Sequence, residues 1–530
     1  YLVTGNEVQI KIAQGAKPGE GGQLMGAKVT EEIAKARFTT VGVDLISPAP
    51  QHDIYSIEDL QELIYEIKQL NPVLKVSVKL VSGDNISAIS IGVAKAVADI
   101  IQISGGDGGT GAASLLSMKH AGLPLEVGLI EVHRALVDNG LRESIILRAD
   151  GGLATGKDVV VAALLGAQQF DFGKLLLLAE GCIMARVCEK NTCPTGIATH
   201  SAKFKANYQG EVAKIVKLLH CLAQEVREIL ISMGHPSLDH IMGKNHLLQA
   251  NSKHQEMIEA RTIDLNYFLQ RYENTTPKAN FRRENHVSLN QKIIQGLGTI
   301  SRFTIQNSDR AIPATLAGLY AMERAKKISR KLPEKVSLHF SGSAGQGFAV
   351  FNVSGIEIRL EGEANDSVAK GMAVGFVIIT PDNKNVAYAP EKNTIIGNCA
   401  LYGATGGTLF VHGSAGDRFA VRNSGAMSIV EAVGFHACEY MSGGLVWILG
   451  ETKGNIGAGM SGGCVYLKRS CLKNINADYI IQVPIQAQDY QMLHQIGQHY
   501  YQVTGSKIMG EILDTEKIYK DFIKLIPLRY

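Results

Sequence analysis

Three cysteines, Cys182, Cys188 and Cys193, crowd one turn-prone stretch that closes on Pro194. Thiolates bunched this closely, with a proline after the last, suit an iron–sulfur cluster. Three is an odd number for disulfide pairing and one short of the usual four ligands of structural zinc. Buried structural thiols are the alternative reading. A second feature lies upstream, where Gly105-Gly106-Asp107-Gly108-Gly109-Thr110-Gly111 is followed by Asp150-Gly151-Gly152. Backbone N–H groups at glycines approach phosphate oxygens closely, and Thr155-Gly156 opens a helix whose dipole strengthens such a grip. Lys79, in a run whose alternate residues are apolar, is a candidate electrophile beside a reduced flavin ring. A cluster next to a flavin phosphate site would mean electron transfer into a redox enzyme.

Before these residues runs Gln14-Gly15-Ala16-Lys17-Pro18-Gly19-Glu20-Gly21-Gly22-Gln23. So many glycines among polar residues predict a mobile loop over the site. Lys17 would meet a carboxylate and Arg37 would add a two-pronged clamp, unless both are simply solvated.

The elements that must hold these groups alternate in type. Strands are predicted at Thr40–Ser47, Lys75–Val81, Ile100–Ser104, Ile145–Ala149 and Gln169–Phe172, and helices at Ile57–Gln69, Ser87–Ala98, Ile130–Asn139 and Gly156–Leu165. Strand–helix alternation implies a parallel sheet with covered faces. The unusual residues follow strand ends, as in a (β/α)8 barrel, whose chemistry sits at the C-terminal ends of its strands. About five of the eight strand units are predicted. With Tyr1 in place of an initiator methionine, the remaining strands are expected upstream.

Residues 201–334 read as a polar, mostly helical connector, with one amphipathic helix at Glu211–Met233. From 335 to 475 the pattern changes to short β-rich runs that open on Gly407, Gly425, Gly444 and Gly463, in steps of 18, 19 and 19 residues. A near-constant period of this length predicts a β-solenoid, each coil burying its face on the next. A scaffolding role is the default for it, and residues 476–530 are left as a C-terminal tail.

Composition narrows the classes. The chain has 530 residues, 45% hydrophobic and 19% charged, so it is globular and exceeds one ordinary domain. A net charge of +3 argues against a nucleic-acid binder. No apolar run approaches the roughly 18 residues of a membrane span. The other five cysteines are scattered, which suits a reducing compartment.

Several long motifs carry a family resemblance. Ala13–Gln23, His52-Asp53-Ile54-Tyr55-Ser56-Ile57-Glu58-Asp59-Leu60, the Cys182–Pro194 segment and Gly362-Glu363-Ala364-Asn365-Asp366 together resemble the large subunit of glutamate synthase. The resemblance covers nearly the whole chain. It implies an α/β plus β protein: part of an FMN-binding barrel over residues 1–200, a [3Fe-4S] cluster on Cys182, Cys188 and Cys193, and a right-handed β-helix. It implies that Lys17, Gln23, Arg37 and Ser56 hold 2-oxoglutarate, with Lys17 and Lys79 catalytic. Lys79, Gln102, Gly105, Gly106, Gly108, Gly109, Gly111, Asp150, Gly151, Gly152 and Gly173 would surround FMN. The family's glutaminase domain, which supplies ammonia, has no counterpart in these residues.

The chain departs from the family pattern at Met25, Gln51, Gly106, Gln169, Asp171, Lys174 and Glu189, all in site loops, which puts turnover in question. Ile101-Gln102-Ile103-Ser104, Leu147–Gly152 and Ala179–Arg186 look like the ferredoxin-dependent form, and Lys174, Arg186 and Lys190 are candidates to steer an acidic ferredoxin. That form implies a plastid stroma, or the cytoplasm of a cyanobacterium. The alternatives are the form served by an NADPH-oxidising subunit, another FMN-dependent barrel oxidoreductase such as a hydroxy-acid oxidase, and a non-catalytic electron-carrying or scaffold module.

Overall fold

In chain order, β1 (Glu7–Lys11) is followed by an antiparallel pair, β2 (Gly22–Leu24) and β3 (Leu45–Ser47), and then by β4 (Lys75–Val81), β5 (Ile100–Ser104), β6 (Ile146–Asp150) and β7 (Gln169–Phe170). The computed structural model describes residues 2–528 apart from 17–19, 38, 40, 48–50, 52, 110–114, 252, 254–263, 271–287, 383–391 and 514–516, and of 46, 47 and 115 the backbone alone. Lys17 and Gly111 therefore lie outside the described residues.

Strands β1, β4, β5, β6 and β7 form one parallel sheet in that order. This is the partial β/α barrel expected from the strand–helix alternation. Its outer face is apolar: Val8, Ile10, Val76, Val78, Leu80, Ile101, Ile103, Leu147 and Ala149 pack against Leu60, Ile64, Leu129 and Val132 of the covering helices. Each fully buried aliphatic side chain contributes about 1.5–3 kcal/mol. The inner face alternates to polar residues, because successive side chains of a strand point to opposite sides. Helix Ile57–Leu70 starts where the Ser56 side chain accepts from Asp59 N, and helix Gly156–Leu164 starts on a Thr155–Asp158 capping box.

One predicted strand is corrected here. The described residues of Thr40–Ser47 do not join the barrel sheet; among them only Leu45–Ser47 form a strand, which pairs with β2. The sheet edge is taken by β1, whose Glu-Val-Gln-Ile-Lys alternation is itself a strand signal.

The second unit is a parallel β-helix. Its main sheet runs β8 (Arg302–Ile305), β9 (Val336–Ala344), β10 (Ile356–Ala364), β11 (Phe376–Thr380), β13 (Thr408–Ala415), β14 (Ser424–Phe435), β15 (Ser442–Ile448) and β17 (Gly462–Lys468), while β12 (Thr394–Ile396) and β16 (Thr452–Gly454) pair off this path. Thr408 faces Met427, Met427 faces Leu445 and Leu445 faces Cys464, so the glycine period is the coil length. Gly407, Gly444 and Gly463 take φ of +90°, +87° and +81°, a region other residues enter only under strain.

Two boundaries shift. The β-helix begins at β8, inside the stretch read as a helical connector, since Arg302–Ile305 pairs in register with β9. Residues 476–530 are no tail: β19 (Phe522–Pro527) adds antiparallel to β17 and to β18 (Ile480–Val483). Helix Ala487–Thr504 contributes Leu493 and Tyr500 to a cluster with Phe410, Ile429, Trp447 and Tyr466, the outer side chains of the coils. Those coils are thus apolar on both faces, and the C-terminal segment covers the outer one. No helix among the described residues is long and apolar enough to cross a membrane.

Candidate functional site

Register brings the site together. Lys11, Lys79, Gln102, Arg148 and Gln169 stand in one row across the five barrel strands. Asp150, two residues further along β6, shares the inner face and reaches back to this row. One of its oxygens accepts from both Lys79 Nζ and Gln102 Nε2. Gln9 Nε2 donates to Gln102 Oε1 at 2.6 Å, which orients the Gln102 amide toward Asp150. Lys79 and Asp150 are both largely buried, so their pair is poorly screened by solvent. The other oxygen of Asp150 is buried and has no hydrogen-bond partner among the described residues.

Beyond this network lies the glycine cradle. Gly105 N donates to Asp150 O at 2.9 Å, joining the loop after β5 to the loop after β6. A Cβ on Gly151 would stand 2.7 Å from Gly105 N, and one on Gly105 would stand 2.7 Å from Leu125 Cβ, so neither position tolerates a side chain. Gly109, Gly151 and Gly152 have φ of +73°, +98° and +101°. A cleft of about 470 Å³ opens beside them, lined among others by Gly106, Asp107, Gly151, Gly152, Lys157 and Asp158. Gly173 leads the helix Lys174–Ala179 with open space where a Cβ would be. A buried, unpartnered acceptor beside glycines that admit close approach fits the ring and phosphate of a flavin mononucleotide.

The loop over the site is partly pinned. Ala16 N donates to Gly108 O at 2.7 Å, Gly15 N donates to Ser104 Oγ at 3.3 Å, and Ala16 is buried. Residues 14–16 are therefore packed against the glycine loop, where free movement was expected of the whole segment.

The three candidate cluster cysteines occupy one loop. Cys182 and Cys188 are half-buried and Cys193 is buried. Burial, and then the neighbouring thiols of Cys193 and Cys182, push Cys188 up, so Cys188 lies within electrostatic reach of each of the other two. Burial alone would raise Cys193 too, but hydrogen bonds from Thr195 and from the backbone of Thr195, Ile197 and Ala198 hold it below the usual thiol range. Met184 N donates to Cys182 Sγ at 3.4 Å. Backbone N–H groups aimed at sulfur favour thiolates, as cluster ligands require. Among the described residues, no three His, Cys, Asp or Glu side chains are placed to hold a single metal ion.

The expected keto-acid residues are dispersed. Gln23 contacts Asp44 at 3.5 Å, Arg37 is exposed at the end of helix Glu31–Arg37, and Ser56 caps its helix. Among the described residues, no hydrogen bond or ion pair joins any of them to Lys79, Gln102 or Asp150.

A family profile described as a conserved region in glutamate synthase matches residues 1–236, and one described as a GXGXG motif matches residues 284–528. The chain is 47% identical over 483 residues to "Ferredoxin-dependent glutamate synthase 2" of Synechocystis sp., covering 88% of this chain and 30% of that protein. It is 44% identical over 547 residues to the chloroplastic ferredoxin-dependent enzyme of Spinacia oleracea, covering 100% of this chain and 33% of that one. "Glutamate synthase [NADH]" of Schizosaccharomyces pombe is 41% identical over 555 residues, covering 100% of this chain and 26% of that protein. The chain belongs to the glutamate synthase family. It spans about a quarter to a third of the length of these relatives.

Within this glutamate synthase chain, three inner-face residues, Glu7, Gln9 and Arg148, were not among those expected at the site, and Asp171 was expected only as a departure from the family pattern. Gln9 orients Gln102. Arg148 grips Glu7 through both guanidinium ends, at 2.6 and 2.8 Å, and also holds Gln169. Asp171 follows β7 and lies 3.9 Å from Arg148; burial pushes its carboxyl up, with Arg148 opposing and Asp150 adding. Strand alternation marks Glu7, Gln9 and Arg148 as inward-facing once the sheet's edge strand is recognised.

Proposed function

We propose that this chain carries the synthase half of a glutamate synthase, an oxidoreductase that makes glutamate from 2-oxoglutarate and glutamine-derived ammonia. The observation that carries the reading is the Lys79–Asp150–Gln102 network beside the Gly105–Gly109 and Gly151–Gly152 cradle, in a chain of this family. Ammonia condenses with the keto carbon, water leaves, and 2-iminoglutarate forms. FMN, held by Gln102, the glycines and Asp150, would supply hydride to the imine carbon, and a [3Fe-4S] cluster on Cys182, Cys188 and Cys193 would feed it single electrons.

The chain's own residues do the rest. Asp150 and Gln102 fix the Lys79 ammonium so that its positive charge faces the flavin site rather than sampling rotamers. Arg37 and Lys17 supply cations for the two carboxylates of the keto acid, with Gln23 and Ser56 as hydrogen-bonding partners. The Ala16–Gly108 contact ties the loop bearing Lys17 to the flavin cradle, so closure over substrate and cofactor position are linked.

Reduced ferredoxin is the proposed electron donor. The Synechocystis and spinach relatives support this over a pyridine-nucleotide partner, although the fission-yeast relative is nearly as similar. Arg186 and Lys190, on the cysteine loop, are the proposed steering cations. Lys174, which lies 3.3 Å from the exposed Asp107 beside the cradle, is the third. The proposed location is a plastid stroma or a cyanobacterial cytoplasm.

The full-length protein tests all of this. It should show flavin and iron–sulfur absorption and form glutamate with reduced ferredoxin, at a rate that falls as salt rises. Flavin without iron would favour a hydroxy-acid oxidase-like enzyme, and the absence of both would favour a scaffold. Turnover with an NADPH-oxidising subunit alone would refute the ferredoxin assignment.

A further inference from the structure

The β-helix meets the barrel at several points, among them the Arg310–Glu62 pair and the segment that enters helix Ile57–Leu70. Its corners between strands stack along one edge: Ser367 N donates to Asn398 O and Cys399 N donates to Asp417 O, each at 2.8–2.9 Å. Two cations project from this edge. Lys370 Nζ lies 2.7 Å from Asp53 Oδ2 and 3.0 Å from Glu66 Oε2, with all three side chains at least nine-tenths buried. The Arg418 guanidinium sits 4.8 Å over the ring of Tyr55. Asp53 and Tyr55 belong to the short segment that enters helix Ile57–Leu70, immediately before its cap Ser56, while Glu66 lies within the helix, so Lys370 ties the segment to the helix body. The helix pulls on the same segment from the other side, since Tyr55 N donates to Asp59 Oδ2 at 2.8 Å.

A lysine enclosed by two carboxylates cannot exchange them for water, so this pair behaves as a pin rather than a surface contact. We infer that the stacked corners of the β-helix set the position of residues 53–56, with Lys370 as the inner anchor and Arg418 as the outer brace. This inference rests on the proposed keto-acid role of Ser56. It makes the β-helix part of the substrate site's machinery, through two positioning residues that do not touch substrate. Small displacements of such a segment are expensive, since about 1 Å can cost on the order of a hundredfold in rate.

The test uses the full-length holoprotein carrying Lys370→Met, Lys370→Arg, Arg418→Gln or Ser56→Ala, with Lys335→Ala on the β-helix surface as control. Dissociation constants for 2-oxoglutarate, KM and kcat separately, and amide hydrogen exchange over residues 53–60 are measured. Lys370→Met should weaken 2-oxoglutarate binding about tenfold and Arg418→Gln severalfold, both through KM more than kcat. Exchange should quicken at residues 53–60, Lys370→Arg should restore much of the loss, and Lys335→Ala should change nothing. Arg418→Gln lies at a half-buried edge and keeps the test alive if Lys370→Met does not fold. Unchanged exchange in both variants would overturn the inference. So would faster exchange with unchanged keto-acid affinity, provided Ser56→Ala weakens that affinity. If Ser56→Ala leaves it unchanged, the keto-acid role of Ser56 fails instead, and the exchange data alone decide the anchor.

Discussion

Asp150 and Lys79 stand two strands apart on the partial barrel, yet their side chains meet above Gln102 on the strand between them. Three residues separated by up to 71 positions thus share one carboxylate oxygen.

Removing one member of so buried a pair strands the other charge, at a cost of about 3–5 kcal/mol. Asp150→Ala should lose roughly that in stability. The double variant Lys79→Met/Asp150→Ala should lose less than the sum of the singles, by about 1–3 kcal/mol. Denaturant unfolding of the four proteins measures this coupling, and additive losses would show that the two residues act independently.

The cysteine loop predicts a compositional result. Cys188→Ser should remove the iron, while Cys221→Ser, an exposed thiol on helix Val212–Ser232, should leave it in place. Full iron content in the Cys188 variant would refute the cluster assignment.

Keto-acid binding should depend on Arg37. A charge-assisted contact is worth about 1.5–3 kcal/mol, or more than tenfold in affinity. Arg37→Ala should therefore raise the dissociation constant for 2-oxoglutarate by at least that factor, with glutamine hydrolysis in the full-length enzyme little changed. An unchanged constant would leave Arg37 as a solvated surface residue.

Glu62 predicts a pH dependence. It lies 2.7 Å from Arg310 of the β-helix unit, yet burial pushes its carboxyl up from 4.5 to about 7, with Arg310 opposing and Glu66 adding. Because the folded value is above the unfolded one, protonated Glu62 stabilises the fold fully below about pH 4.5. That contribution, on the order of 2–3 kcal/mol, is lost as pH rises through 7. Melting temperatures from pH 4.5 to 8 should therefore fall more steeply for the native chain than for Glu62→Gln. Parallel curves would mean that Glu62 does not titrate in this window.

Local signals were legible wherever the information is contiguous. The Lys75–Val81 and Ile100–Ser104 strands agree with their predicted limits, the first because apolar residues alternate along it and the second because it is a short β-branched run buried throughout. The glycine period found the β-helix coils because Gly407, Gly444 and Gly463 take a positive φ and Gly425 lets the backbone of Thr405 approach closely, at a near-constant interval. Thr40–Ser47 misled for a local reason too: it is rich in strand-forming residues, and propensity does not say which sheet a segment joins.

By itself, then, the sequence determined the residue types at each strand end, the period of the β-helix and the family. Only the tertiary structure decided which of those residues meet. Register across five strands put Lys79, Gln102 and Asp150 at one point and left Gln23, Arg37 and Ser56 outside their hydrogen-bond network. Packing of the C-terminal helix over Trp447 and Tyr466 turned an apparent tail into a cover. The enclosure of Lys370 by Asp53 and Glu66 joins residues more than 300 positions apart, so no local pattern announces it. The physical reason is common to all three: burial and charge pairing depend on distances that chain folding sets, whereas alternation, caps and turns are set by the residues next in line.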